Sequence, residues 1–163
     1  MALASTRVRQ QIKAPRAAVY RALIDPAAVA QWMVPDDMTS HIHSFEPREG
    51  GAFRISLTYA DPEGVGKTSA QTDTYHGRFV TLIPDTQVVQ AIEFETDDPA
   101  MHGEMTVTFT LTETPGGTEV VGVHADLPPG LAPADNETGW QLSLAKLARL
   151  VEAEQSSATP PRA

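Results

Sequence analysis

Residues 105–112, MTVTFTLT, alternate apolar and threonine positions without a break. Met105, Val107, Phe109 and Leu111 fall on one side, the threonines on the other, as in a strand with one buried face. The stretch 52–60 repeats the pattern with Phe53, Ile55, Leu57 and Tyr59 behind a Gly50-Gly51 pair. Looser alternation predicts further strands over 5–12, 40–46, 70–81, 86–96 and 118–127, and extends the first run to 103–113. The connectors carry turn chemistry: Gly50-Gly51, DPEGVGK, IPDT, DDPAMHG and TPGG. Such short loops predict that successive strands pair antiparallel.

The pattern switches to helical spacing in three places. Pro15 suits the first position of a helix, where its missing N–H costs nothing, and PRAAVYRALI puts Val19, Ala22 and Leu23 on one face. Asp25 ends that helix and can cap the next, PAAVAQWM. From about Pro133 a long helix carries Trp140, Leu144, Leu147 and Val151 at steps of four, three and four. At 1.5 Å per residue it spans about 30 Å, enough to cross a sheet. The polar, Pro-rich residues 155–163 are expected to form a disordered tail behind a single domain over 1–154. An antiparallel sheet with one apolar face needs a cover, and the long helix is the large apolar element available. The expected fold is therefore α+β: a curved seven-strand antiparallel sheet around a long C-terminal helix, with two short helices after strand one.

Composition narrows function by exclusion. The chain has 163 residues, with 12 Lys+Arg against 21 Asp+Glu and a formal net charge of -9. That balance repels phosphate backbones and anionic membranes, so a nucleic-acid partner is not expected. There is no cysteine, which removes disulfides, thiolate metal sites and a cysteine nucleophile. No segment has the length and apolarity of a signal peptide or a membrane span, and the cytoplasm is the expected location. The sequon Asn136-Glu137-Thr138 is then coincidental.

Five stretches in order, APRAAVYRALIDPAAVAQWM, SFEPREGGAFRI, YHGRFVTLIPDTQVV, MTVTFTLTETPGGTEVVGVHADLP and GWQLSLAKLARLV, carry a resemblance over nearly the whole chain. It resembles the activator of heat-shock-protein-90 ATPase homologue 1-like family, in the START-like (SRPBCC) superfamily. The resemblance implies the helix-grip fold, also that of the birch-pollen-allergen-like proteins, with a cavity between sheet and helix. It does not imply one activity, since the superfamily holds lipid carriers, hormone receptors and cyclases. The co-chaperone that names the family has an additional domain with no counterpart in these residues.

The residues allow a cavity independently. Phe53, Leu57, Tyr59, Tyr75, Phe79, Phe94, Met105 and Phe109 are inward candidates from the strands. Trp140 and Leu144 cover them from the long helix, and Trp32 from a short one. Tyr59, Tyr75 and Gln90 add polar atoms to that face, and a buried hydroxyl needs a partner. A mostly apolar cleft with a few convergent polar groups is how ligand pockets are built. His43 and His124 are candidates for a ligand's polar end, with His41, His43 and Phe45 expected on one side of their strand. Gly50-Gly51 and Gly77 are expected to ease the sheet's curvature, and Gly139 to let the long helix approach the sheet closely.

Other motifs carry less. Three ligands at tetrahedral spacing are not found among the histidines, so no metal is expected, and no cofactor. GVGKT (64–68) ends like a phosphate-binding loop, but Asp61 replaces its first glycine and a strand follows in place of a helix. There is no Gly-x-Ser-x-Gly elbow. Glu93 and Glu95 fall on the solvent side of their strand, away from a paired-carboxylate role. Acid–base chemistry would have to use His124, Asp126 or Tyr75. The leading expectation is non-enzymatic binding of a small hydrophobic or amphipathic molecule by a monomer or homodimer. A co-chaperone or protein-interaction module, with a chaperone as partner, is the alternative. A cyclase- or hydrolase-like enzyme using the same cavity is the third.

Overall fold

The computed structural model describes residues 3–35, 37–59 and 72–158. The chain order is β1 (Ala4–Ile12), α1 (Arg16–Ile24), α2 (Pro26–Trp32), β2 (Met38–Phe45), β3 (Ala52–Tyr59), β4 (Thr72–Ile83), β5 (Gln87–Phe94), a 3-10 turn (Pro99–Met101), β6 (Met105–Thr114), β7 (Gly117–Leu127) and α3 (Pro133–Ala158). All seven strands form one antiparallel sheet in the order β1-β7-β6-β5-β4-β3-β2. Strands β2 to β7 make a meander, and α1 and α2 carry the chain from β1 on one edge to β2 on the other. This is the helix-grip arrangement. The GVGKT stretch lies outside the described residues, and α3 continues four residues past the expected domain end at 154.

Local chemistry sets the boundaries. Asp25 accepts from the Ala27 amide at 3.0 Å and caps α2, with Pro26 as its first residue. On β1, Thr6, Val8 and Ile12 are buried and pair along β7. The Thr118 hydroxyl closes that edge by donating to the Ala14 carbonyl at 2.8 Å.

Two expectations are corrected in β2 and its turn. The register shifts between Ile42 and Ser44, so His43 is an extra residue without a partner in β3. A bulge of this kind inverts the alternation. Ile42 pairs with Ile55 and Phe45 with Phe53, while His41 and His43 are exposed on the outer face, ring centroids 4.5 Å apart. His43 and Phe45 therefore do not share a side. The Gly50-Gly51 pair makes a turn, not a bend within the sheet. Gly50 has φ +79°, and a Cβ on Gly51 would stand 2.2 Å from the Glu46 carbonyl oxygen. The turn hooks onto β4 through Gly50 N–H to Phe79 O (2.8 Å) and Phe79 N–H to Gly51 O (2.9 Å). Next to Phe79 the β4–β5 register also shifts, and these two bulges bend the sheet.

The concave side is mostly solid. Trp32 is buried, donates its indole N–H to the Ala22 carbonyl at 2.9 Å and meets Phe109 edge-on at 6.0 Å. Phe45, Phe53 and Phe79 form an aromatic cluster with centroids 5.2 to 6.2 Å apart. Leu144, Leu147, Ala148 and Val151 are buried, whereas from Pro133 to Gly139 every residue but Asn136 is exposed. The helix thus seats on the core through its middle turns, and Asn136 and Trp140 tie its first half to β1 and β7.

Candidate functional site

Between the first turns of α3, the end of α2 and the strands β3, β4, β5 and β7 lies a cavity of about 260 Å³. Leu57, Asp73, Tyr75, Ile92 and Phe94 form its strand wall, with His124 from β7. Asp135, Asn136, Gly139, Trp140 and Ser143 face it from α3, and Met33, Pro35 and Leu131 close its ends. Among the expected site residues, Leu57, Tyr75, Phe94, His124 and Trp140 therefore meet here. Trp32, Phe53, Phe79, Met105, Phe109 and Leu144 lie in the packed core instead. Tyr59 is half-buried at the end of β3, and Gln90 is buried on β5 with its side-chain oxygen unpaired. Neither lines the cavity. His43 sits on the opposite face of the sheet, its Nε2 2.8 Å from the Ser56 hydroxyl, because of the bulge.

Asp73, Asn136 and Ser143 were missed by sequence reasoning, although a signal existed for each. Asp73 is two residues from Tyr75 on a strand and must share its face. Asn136, Trp140 and Ser143 follow steps of four and three on one helical stripe. Gly139 departs from expectation too. A Cβ there would meet nothing within 4 Å, so the glycine leaves the cavity roomy instead of permitting close approach.

His124 organises the inner end. Trp140 Nε1–H donates to His124 Nδ1 at 2.9 Å, and Asn136 Nδ2 lies 3.1 Å from the same atom. An indole nitrogen can only donate, so Nδ1 carries a lone pair and the proton sits on Nε2, 3.1 Å from Met105 Sδ. Burial pushes the imidazole pKa down to about 4, and the Asn136 contact opposes this in part. Asn136 also donates to the Thr6 hydroxyl at 2.8 Å, tying α3 to β1.

The Tyr75 hydroxyl donates to the thioether of Met33, 3.9 Å away, a weak acceptor. Burial raises the pKa of this phenol well above its ordinary range, so it stays protonated. Asp126, the remaining acid–base candidate, is exposed with φ 62°. A proton-transfer role has little to draw on from these three: the Nδ1 lone pair is occupied, the phenol is hard to ionise, and Asp126 lies off the cavity. What the site can do is bury an apolar body and hydrogen-bond a polar end.

A wider depression of about 550 Å³ lies at the other end of β7, between the start of α1 and the β6–β7 turn. Lys13, Arg16, Asp85 and Glu113 border it, and it does not reach the interior of the sheet. The outer face of the sheet is also polar: Arg54 grips Glu95 at 2.8 and 2.9 Å, and His76 adds a contact at 3.1 Å. Among the described residues no group of three His, Asp or Glu could hold a metal ion. No helix among them is long and apolar enough to cross a membrane.

The family model described as activator of Hsp90 ATPase homolog 1-like protein matches residues 13–152, from the end of β1 to the last turns of α3. The chain belongs to this family. Protein CV1439 from Chromobacterium violaceum has 30% sequence identity and a TM-score of 0.80, over 91% of this chain and 97% of that one. An AHSA1 protein from Silicibacter pomeroyi shares the fold at 20% identity and TM-score 0.76, over 93% and 99% of the two chains. A protein from Rhodobacter sphaeroides does so at 22% and 0.74, over 91% and 92%. No curated protein matches. Membership in the Hsp90 ATPase activator homolog-like family accounts for the architecture.

Proposed function

We propose that this protein binds a small amphipathic molecule in the cavity between α3 and the sheet. The carrying observation is the hydroxyl of Tyr75, a residue only 6% exposed in the cavity wall, whose partner in the described contacts is the Met33 thioether. A buried hydroxyl gains from a better acceptor or donor, and a ligand's polar end supplies one. The volume of about 260 Å³ is below the roughly 300–1,000 Å³ usual for drug-sized ligands. The expected occupant is correspondingly small, and a longer chain would have to project past the rim. A neutral probe tests the reading: octan-1-ol titrated into isotopically labelled protein should give saturable shifts at Leu57, Ile92 and Trp140. Ser143→Trp, which fills the cavity from α3, should abolish them while the thermal midpoint holds. Shifts that never saturate, or that survive Ser143→Trp, would remove the cavity as a binding site.

A further inference from the structure

Among the described residues the charge lining the cavity is one-sided. Asp73 enters from β4 and Asp135 from the first turn of α3, and among the described residues no Lys or Arg lines it. Lys146, one turn beyond Ser143, gives its ammonium to the Val34 carbonyl and is not part of the lining. His124 supplies no positive charge, because its Nδ1 accepts from Trp140 and burial disfavours the imidazolium. The N-terminal end of α3 would by itself draw an anion, but Asp135 in its first turn offsets that dipole. Aromatic rings of Tyr75, Phe94 and Trp140 contribute to the walls, and their faces attract cations. The Tyr75 oxygen, its proton directed at Met33, has lone pairs to offer an N–H donor.

We infer that the cavity selects amphiphiles carrying a protonated amine over those carrying a carboxylate, with Asp135 and the aromatic walls as the discriminating groups. This rests on the cavity being a ligand site, as proposed above. An aliphatic ammonium places its charge near Asp135 and its chain along Leu57, Ile92 and Phe94. A fatty-acid-like anion would bring a like charge into a partly desolvated space with no Lys or Arg among the described lining residues to receive it. Asp73 is buried and engaged in a polar interaction of its own, so Asp135 carries the larger share. Opposite-sign probes double the effect, because the carboxylate forms the attraction for one and the repulsion for the other. A modest coupling of under about 1 kcal/mol each way gives a ratio near tenfold.

The test compares three probes of equal chain length on the full-length protein at neutral pH and low salt: octylammonium, octan-1-ol and octanoate, by calorimetry and chemical-shift mapping. Octylammonium should bind about tenfold tighter than octanoate, and octan-1-ol should fall between them. Asp135→Asn should reduce that ratio severalfold, and raising the salt concentration should reduce it as well. Octanoate binding as tightly as octylammonium overturns the charge selectivity while leaving the cavity a ligand site. A ratio unmoved by Asp135→Asn and by salt overturns it too. If none of the three probes shifts the cavity residues, the binding reading itself falls. Because Asp135 is exposed in a helical first turn, its substitution leaves the core packing untouched.

Discussion

Trp140 on α3 donates its indole N–H to Nδ1 of His124 on β7 over 2.9 Å, with the two rings edge-on at 5.9 Å. This contact joins the first half of the helix to the sheet. It also fixes the imidazole tautomer, since a protonated Nδ1 could not accept. Trp140 further meets Phe109 at 5.6 Å, so its ring spans the boundary between cavity and core. The helix is fastened to the sheet at that height by a polar latch.

The latch makes the fold acid-sensitive. His124 has a folded-state pKa of about 4 against an ordinary 6.5, so the unfolded chain binds a proton first as pH falls. Its contribution to stability is whole above about 6.5 and declines between 6.5 and 4. A shift of that size corresponds to about 3 kcal/mol. Urea midpoints at pH 7 and pH 4.5 should therefore differ more for the natural chain than for His124→Gln. Glu95, held below its ordinary range first by its Arg54 hydrogen bonds, adds an acid-labile part common to both proteins. Equal pH slopes for the two would show that His124 is not buried neutral.

Trp140→Phe separates the ring from its N–H. The apolar contact with Phe109 is kept and the hydrogen bond to His124 is lost, at a cost of about 1 kcal/mol. Without that donor the neutral imidazole is less favoured, and the His124 pKa should rise toward 6.5. Titration of its ring protons by NMR measures this directly. An unchanged His124 titration would mean that the donor contributes nothing to the tautomer.

The long alternation of β6 and the helical stripe of α3 made most of the architecture legible, because each has a period that one structure satisfies. The division of the concave face did not show in the sequence. Phe53 and Ile55 are core whereas Leu57 lines the cavity, although all three sit at equivalent positions of one alternating row. What separates them is which distant side chains pack over each position: Phe45 and Phe79 meet Phe53, whereas Leu57 lies among the cavity-lining residues. The bulge at His43 was likewise hidden, since neither glycine nor proline marks it and the local pattern reads as a regular strand. Asp73 lay within reach of parity reasoning, but a strand carboxylate is ordinarily assigned to solvent.

Truncations should report the core–cavity boundary as two different costs. Trp32→Ala removes a ring that is 1% exposed, edge-packed on Phe109 and hydrogen-bonded to Ala22, and should cost about 3–5 kcal/mol. Leu57→Ala removes a half-buried side chain that already faces open volume, and should cost about 1 kcal/mol. Chemical denaturation resolves the difference. Comparable losses would mean that the volume beside Leu57 is filled in solution.

Two glycines, Gly77 on β4 and Gly139 on α3, should respond in opposite directions to the same substitution. At Gly77 a Cβ would stand 2.2 Å from the Ala91 carbonyl oxygen and 2.8 Å from the Phe53 ring. Backbone cannot yield as a side chain does, so Gly77→Ala should destabilise by about 1–3 kcal/mol. At Gly139 the added Cβ meets open space, inside an exposed stretch of α3. Alanine there removes glycine's excess backbone freedom and should stabilise the protein by about 0.5–1 kcal/mol. Octan-1-ol binding should persist in Gly139→Ala, because one methyl takes little of the volume, and should weaken sharply in Gly139→Phe. Thermal midpoints and the octan-1-ol titration read both effects on one pair of variants. A stabilised Gly139→Phe that binds as well as the natural chain would place the ligand somewhere other than beneath this turn of α3.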